Sequence, residues 1–331
     1  MDLKTKYLGI ELESPLIAGP GPFTHNIDNF TKLRDAGAAA IVMHSLFEEQ
    51  VRNEAQDLDY YLSYGTESFA EALSYFPEPE VYQTEADQYL KILEQASAKL
   101  DVPVIASLNG VSSKGWTQYA KKMQDAGASA IELNIYFLPT QAELTGGEVE
   151  KRYIDILSAV KSSVSIPVAV KLNPYFSSLA NMAVQLKNAG ADGLVLFNRF
   201  YQPDIDIDKL EVECKLELSS PSEIRLPLLW LATISAAVPE LSLAATSGVH
   251  SGKEAVKYLM AGANVVMLTS KLVRDGIASL ADVRKEMLSI LEGKGYNNIG
   301  EVVGVMNRAK IADPTAYERA NYIKVLKSVR I

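Results

Sequence analysis

Two late segments, Ala244-Ala245-Thr246-Ser247-Gly248-Val249 and Val265-Val266-Met267-Leu268-Thr269-Ser270, decide the reading of this chain. Each is a short apolar run that ends in glycine or small hydroxyl residues and precedes a helical pattern. A parallel strand buried on both faces reads this way. The small residues at its end leave backbone N–H groups open, and two such ends side by side form a cradle for a phosphate. In an eight-stranded α/β barrel that cradle belongs after strands 7 and 8.

Working outward, eight short apolar runs stand before helical patterns: Pro15–Pro20, Ala38–His44, Val102–Asn109, Ala130–Tyr136, Pro167–Asn173, Gly193–Asn198, Leu241–Gly248 and Asn264–Ser270. Between them lie amphipathic stretches such as Asp28–Ala36, Ala86–Lys99, Trp116–Ala126, Gly147–Ser162, Ser178–Ala189 and Lys253–Ala261. Several helices close on one phrase: Asp35-Ala36-Gly37, Asp125-Ala126-Gly127, Asn188-Ala189-Gly190 and Met260-Ala261-Gly262. Glycine there supplies the left-handed conformation that ends a helix. Strands alternating with helices imply a parallel sheet, and eight units predict a closed (β/α)8 TIM barrel, one domain over residues 1–331. An open doubly wound sheet is the competing arrangement. No Gly-x-Gly-x-x-Gly opens a helix near the N-terminus, and Gly19-Pro20-Gly21-Pro22 is too stiff to imitate one.

Two regions break the rhythm. Residues 45–85 form a long insertion rich in Tyr and Glu. Residues 201–220 alternate, as in Asp204-Ile205-Asp206-Ile207-Asp208, which predicts a small antiparallel excursion. Both follow a strand and so belong on the catalytic face, as lids, substrate walls or dimer contacts. A helical extension is expected over about residues 300–331, where Arg319, Lys324, Lys327 and Arg330 make a basic, solvated face.

The bulk numbers exclude several classes. A hydrophobic content of 48% is ample for a core, while a formal charge of -9 argues against a nucleic-acid surface. One cysteine, Cys214, rules out an internal disulfide and a Cys-based metal or iron–sulfur site. His25, His44 and His250 are scattered, so no metal cluster is legible. The opening Met1-Asp2-Leu3-Lys4 carries no signal peptide, and no apolar span suits a membrane helix. The expected compartment is the cytoplasm.

In a barrel, polar residues at the carboxyl ends of strands are the first candidates for chemistry. Here they are Asn109, Asn134, Lys171, Asn173 and Asn198. Lys171 interrupts the apolar run Val168-Ala169-Val170-Lys171-Leu172, so it must point into the barrel mouth or bear a large desolvation cost. It reads as an ion-paired core lysine, as a cation beside a cofactor, or as a Schiff-base nucleophile. The asparagines suit the amide and carbonyl edges of a planar heterocycle, though buried asparagines also tie loops together. With the phosphate cradle, they fit a phosphorylated ring cofactor lying across the barrel top.

Pro15-Leu16-Ile17-Ala18-Gly19-Pro20-Gly21, Glu132-Leu133-Asn134-Ile135, Val170-Lys171-Leu172-Asn173-Pro174-Tyr175-Phe176, Asn198, Thr246-Ser247-Gly248-Val249 and Leu268-Thr269-Ser270 resemble the dihydroorotate dehydrogenases. The similarity is greatest to the class 1, cytosolic type and keeps its order from about residue 3 to residue 295. The resemblance implies an FMN-containing (β/α)8 barrel that oxidises dihydroorotate, or a related small cyclic amide, by hydride transfer to flavin N5 in pyrimidine biosynthesis. It implies that Gly19 and Pro20 pass along the flavin ring and that Asn134 and Asn198, with Asn109 nearby, hold flavin or substrate amides. Lys171 would sit at the pyrimidine edge of the isoalloxazine. Ser247, Gly248, Thr269 and Ser270 would take the phosphate, helped by Ser222 before its helix. A dimer is a further implication. A separate electron-accepting protein is the other expected partner, since this chain has no cysteines to hold an iron–sulfur cluster.

The chain also departs from the family pattern. After Glu-Leu-Asn, class 1 members carry Ser-Cys-Pro-Asn, whose cysteine is the base, and class 2 enzymes use serine. This chain reads Tyr136-Phe137-Leu138-Pro139. The family lysine at the end of strand 2 is matched by Met43, with His44 adjacent, and the substrate-binding Leu-Pro-Asn is not recognisable in 70–80. General base catalysis is typically worth about 10²–10⁴-fold. The replacement candidates are Tyr136, which would need a strongly lowered pKa, and His44; Tyr136 also reads as a packing residue. Two other functions compete: a non-catalytic or electron-transfer flavin-binding barrel, and an aldolase with Lys171 as Schiff-base former.

Overall fold

The computed structural model describes residues 1–48, 84–110, 113–199, 202–213, 216–318 and 327. A short antiparallel hairpin, β1 (Thr5–Tyr7) and β2 (Ile10–Leu12), opens the chain. Eight parallel strands follow: β3 (Leu16–Ala18), β4 (Ile41–Phe47), β5 (Val104–Asn109), β6 (Ala130–Asn134), β7 (Val168–Leu172), β8 (Gly193–Leu196), β11 (Ser242–Ala245) and β12 (Val265–Leu268). They pair in chain order and β12 closes on β3, so the sheet is a closed barrel. Every one of the eight apolar runs read from sequence supplies a barrel strand.

The helices α1 (Ile27–Asp35), α2 (Glu85–Lys99), α3 (Ser113–Asp125), α4 (Gly146–Ser163), α5 (Leu179–Asn188), α6 (Arg225–Ala237), α7 (Gly252–Ala261), α8 (Ser270–Asp275) and α9 (Ser279–Gly293) accompany them. Gly37, Gly127, Gly190 and Gly262 all take positive φ just past a helix, as the repeated Ala-Gly phrase predicts. Helix α6 has no legible period in sequence because Leu226-Pro227-Leu228-Leu229-Trp230-Leu231 is apolar all round. No helix among the described residues is long and apolar enough to cross a membrane.

Strand geometry sends alternate side chains to opposite faces, and this splits the core in two. The larger cluster packs strands against helices; it includes Val168, Val170 and Leu172 of β7 with Leu157, Val160 and Leu186 of the helices. The smaller one fills the barrel: Ile17, Val42, Ile105, Ala130, Ala169, Val195, Ala244, Val265 and Met267, with Tyr7, Leu8 and Leu12 of the hairpin packed among them. The barrel is therefore solid at that level, and open space begins only in the next inward layer.

One irregularity matters. Strand β4 pairs Val42 with Ile105 and then Ser45 with Ser107, so it carries one extra residue between those pairs. This bulge flips the inward alternation: Ser45 turns toward Ser107, at 2.8 Å, and His44 packs instead beside Tyr89 of α2. The Tyr89 hydroxyl accepts from the Ser107 N–H at 2.9 Å and donates to the Ser107 carbonyl at 3.2 Å.

Within the second insertion, β9 (Asp204–Asp206) and β10 (Glu211–Glu213) form the antiparallel excursion expected from the period of two. Ile205, Ile207, Leu210 and Val212 stand exposed on it. Residues 49–83 of the first insertion, and Cys214, lie outside the described residues. At the C-terminal end the described residues form 3-10 turns at Ile299–Glu301 and Pro314–Tyr317; residues 319–326 and 328–331 lie outside the description.

Replacing Tyr89 with phenylalanine keeps the ring but strips the buried Ser107 N–H of its partner. We expect Tyr89→Phe to lower stability by about 1–3 kcal/mol, read as a lower urea midpoint with unchanged slope.

Candidate active site

The inward layer above the barrel core is polar where the layer below is apolar. Two residues beyond Ile105, Ala130, Ala169, Ala244 and Met267 stand Ser107, Glu132, Lys171, Thr246 and Thr269, and two beyond Ile17 stands Gly19. These strand ends surround a chamber of about 380 Å³. Its lining brings together Pro20, Ser45, Asn134, Lys171, Asn198, Ser247, Gly248, Thr269 and Ser270. Leu216, Leu218 and Ser219 of the second insertion also line it. The insertion thus forms one wall.

At the floor, Lys171 is held by a residue that sequence reading passed over. Its Nζ lies 3.3 Å from Glu132 Oε1, with the two side chains 9% and 1% exposed. The pair is a buried one, which needs close geometry to offset desolvation. A signal for Glu132 existed: like Lys171, it is a charge inside an apolar strand, two residues before Asn134 on the same face. Asn134 sits opposite Lys171 in the β6–β7 register. Its Nδ2 donates to Ser45 Oγ at 3.1 Å, and its Oδ1 accepts from Asn198 Nδ2 at 2.5 Å. Arg199, next to Asn198, also lines the chamber and pairs with Glu223 at 2.5 Å.

The opposite end is built from backbone turns and hydroxyls. Ser247 and Gly248 both have positive φ, 75° and 73°, a conformation costly for serine and available to glycine. Gly248 N–H donates to Ser219 Oγ at 3.0 Å, and Ser219 N–H and Oγ both donate to Ser270 Oγ. His250 anchors this knot. Arg274 can only donate, so His250 Nδ1 accepts from it at 2.8 Å and Nε2–H donates to the Ser219 carbonyl at 2.5 Å. Burial, reinforced by the nearby Arg274 charge, lowers the His250 pKa and favours this neutral form.

Other sequence candidates lie elsewhere. Asn173 ties a loop: it accepts from Tyr175 N–H and donates to Tyr153, whose hydroxyl reaches the Ile135 carbonyl. Asn109 is buried at the end of β5 and does not line this chamber, nor does the half-exposed Tyr136. Ser222 bonds Ser220 Oγ and lines an adjoining cavity of about 290 Å³ that shares Phe197, Asn198, Arg199 and Ser247 with the chamber. His44, turned away by the bulge, lines a separate cavity of about 580 Å³ with His25, Glu85, Gln88 and Tyr89. Among the described residues the two cavities share Pro20, Ser45 and Phe47. Among the described residues no group of three or more His, Cys, Asp or Glu side chains is gathered to hold a metal.

His44 stacks on His25 with ring centroids 3.6 Å apart. Burial, and then the neighbouring His25, push its pKa down to about 4 from an ordinary 6.5. The folded state therefore binds fewer protons than the unfolded chain between those values, and stability falls as pH drops through that window. We expect His44→Gln to flatten the loss of stability between pH 6.5 and 4, an effect of at most about 3 kcal/mol, measured by urea melts across the range.

Comparison with known proteins agrees with this architecture. The sequence profile of the family described as dihydroorotate dehydrogenase matches residues 79–291. The catalytic subunit of dihydroorotate dehydrogenase B (NAD(+)) from Methanocaldococcus jannaschii is 28% identical over 312 residues, covering 92% of this chain and 97% of that protein. Proteins of the same name from Thermoplasma acidophilum and Caldicellulosiruptor bescii are 26% and 25% identical, each covering 93% of this chain and 99% and 100% of their own lengths. An inward polar layer on a closed eight-stranded barrel, together with a family match over well over half its length, places this chain in the dihydroorotate dehydrogenase family of oxidoreductases.

Proposed function

We propose that the chain is an FMN-dependent oxidoreductase of the dihydroorotate dehydrogenase type, oxidising dihydroorotate or a related small cyclic amide by hydride transfer to flavin N5. The observation that carries this reading is the single chamber joining Lys171, Asn134 and Asn198 at one end to Ser247, Gly248, Thr269 and Ser270 at the other. The residues present fit FMN. Small hydroxyls and turn amides suit a phosphate, and amide and ammonium donors suit the oxygens and nitrogens of a flavin. Gly19, next to the lining residue Pro20, has no room for a side chain: a Cβ there would lie 2.5 Å from Thr269 Oγ1 and 3.3 Å from Met267 Cβ, so a larger residue would displace Thr269 of the lining.

When bound, FMN supplies a two-electron acceptor. The chain's own part is to bind, orient and exclude water. Pro20 would flank the ring; Ser247 and Gly248, with Thr269 and Ser270 at the end of the neighbouring strand, would hold the phosphate; Asn134 and Asn198, hydrogen-bonded to each other, would present fixed amides. Lys171 would supply a cation to a ring that gains negative charge on reduction.

The described lining of the chamber contains no Cys, His, Asp or Glu side chain. Phe137 stands where the family carries its cysteine base. This favours a substrate whose proton is lost without such a base, and it is the observation behind a second reading, a flavin-bearing electron-transfer barrel. A separate electron-accepting protein fits either reading, and the exposed apolar hairpin of β9 and β10 supports docking of that protein or of a second copy.

An absorbance spectrum of purified protein, followed by anaerobic dihydroorotate, tests the proposal. We expect flavin bands that bleach. Bands that stay oxidised would remove the named substrate and favour the electron-transfer reading; a colourless protein that takes up no FMN would reject both, and borohydride trapping of Lys171 with a keto substrate would then test the aldolase alternative. Gly19→Ala should crowd Thr269 and weaken FMN binding by about tenfold or more, measured by fluorescence titration of the apoprotein.

A further inference from the structure

Glu132 is the carboxylate the chamber conceals. It does not line the space, yet it lies directly behind Lys171, on the inward face of β6 between Ala130 and Asn134. Its Oε1 receives Lys171 Nζ at 3.3 Å and lies 3.5 Å from Ser107 Oγ. Its Oε2 is buried and has no hydrogen-bond partner among the described residues. A buried carboxylate is costly to keep charged unless its partners offset the desolvation. Packing alone would be served by a neutral side chain of the same shape.

What the carboxylate changes is charge. An ammonium carries three donors. Among the described residues Lys171 commits one of them, to Glu132, which leaves two for the chamber. A negative charge 3.3 Å behind the ammonium also cancels much of its field a few ångströms further out. We propose that Glu132 is a positioning residue that sets the charge Lys171 presents to the chamber, holding the ammonium in one place and tempering its pull on negative charge there. The inference rests on the cofactor reading above.

Sulfite is a suitable probe, since it adds reversibly to oxidised flavins, leaves negative charge on the ring and bleaches the visible band. The experiment titrates sulfite into the FMN-loaded protein and its variants. Glu132→Gln keeps the shape and removes the charge, and should bind sulfite about tenfold more tightly or better. Glu132→Asp keeps the charge and should stay within about threefold of the parent. Unchanged or weaker sulfite binding in Glu132→Gln overturns the proposal, as a merely structural carboxylate would leave this affinity alone. Should Glu132→Gln fail to fold, the double variant Lys171→Gln/Glu132→Gln, in which neither charge is buried, is compared with the parent. Because the pair it removes presents little net charge to the chamber, it should bind sulfite within about threefold of the parent; a loss of tenfold or more would mean that Lys171 acts at full charge and overturns the proposal. A parent protein that takes up no FMN shows itself earlier, as a colourless sample, and overturns the cofactor reading and this inference together. Bound FMN with either of the overturning sulfite results rejects this inference alone.

Discussion

A closed parallel barrel leaves every second side chain of each strand nowhere to go but inward. That constraint organises the whole molecule. At the level of Ile17, Ile105, Ala130, Ala169, Val195, Ala244 and Val265 the interior is filled with small and branched apolar groups, and the N-terminal hairpin packs Tyr7, Leu8 and Leu12 among them. One layer higher the same rows carry Gly19, Ser107, Glu132, Lys171 and Thr246, and Thr269 stands two residues past Met267. The change from apolar to polar within two residues of strand converts a packed core into a chamber floor. Rigid strands, rather than loops, therefore hold the groups that face the chamber, which suits chemistry that depends on fixed dipoles and charges.

Charge in that floor is managed in pairs. Lys171 is matched by Glu132 and Arg199 by Glu223, so neither cation stands alone beside the chamber. Hydrogen bonds then lock the groups to one another: Asn198 to Asn134, Asn134 to Ser45, Ser45 to Ser107. At the far end His250 fixes Ser219, which in turn accepts from Gly248 and donates to Ser270. The two ends are chemically different, one an amide and ammonium surface and the other a hydroxyl and turn surface. That polarity along the chamber is the basis of the proposed flavin reading.

The legibility of this site in sequence was uneven, for identifiable reasons. Lys171 stood out because a charge within an apolar strand needs an explanation, and the cradle stood out because small residues end two strands in succession. Glu132 has the same signature as Lys171 and was overlooked inside a motif noted for its asparagine. Arg199 carried no signal, since an arginine after a strand is ordinary. His44 was expected at the barrel mouth, and its displacement depends on a single extra residue in β4 that no periodicity reveals. Asn173 matched the pattern of a ligand-binding amide, and the structure gives it to Tyr153 and the backbone of Tyr175 instead.

Taken alone, the sequence determined the eight strands, their order, the glycine-ended helices and the small-residue ends of the last two strands. These follow from local rules: apolar runs, helix periodicity and the conformational freedom of glycine are written residue by residue. Tertiary structure decided which polar groups share a space. Glu132 and Lys171 are 39 residues apart in the chain and meet through the register of β6 against β7, and Ser219 and Gly248, 29 apart, meet where the loop after β10 reaches the end of β11. Register is a property of pairs of strands, and a shift of one residue reverses which face every side chain occupies. No single segment contains that information, so the site could be assembled only once the barrel was closed.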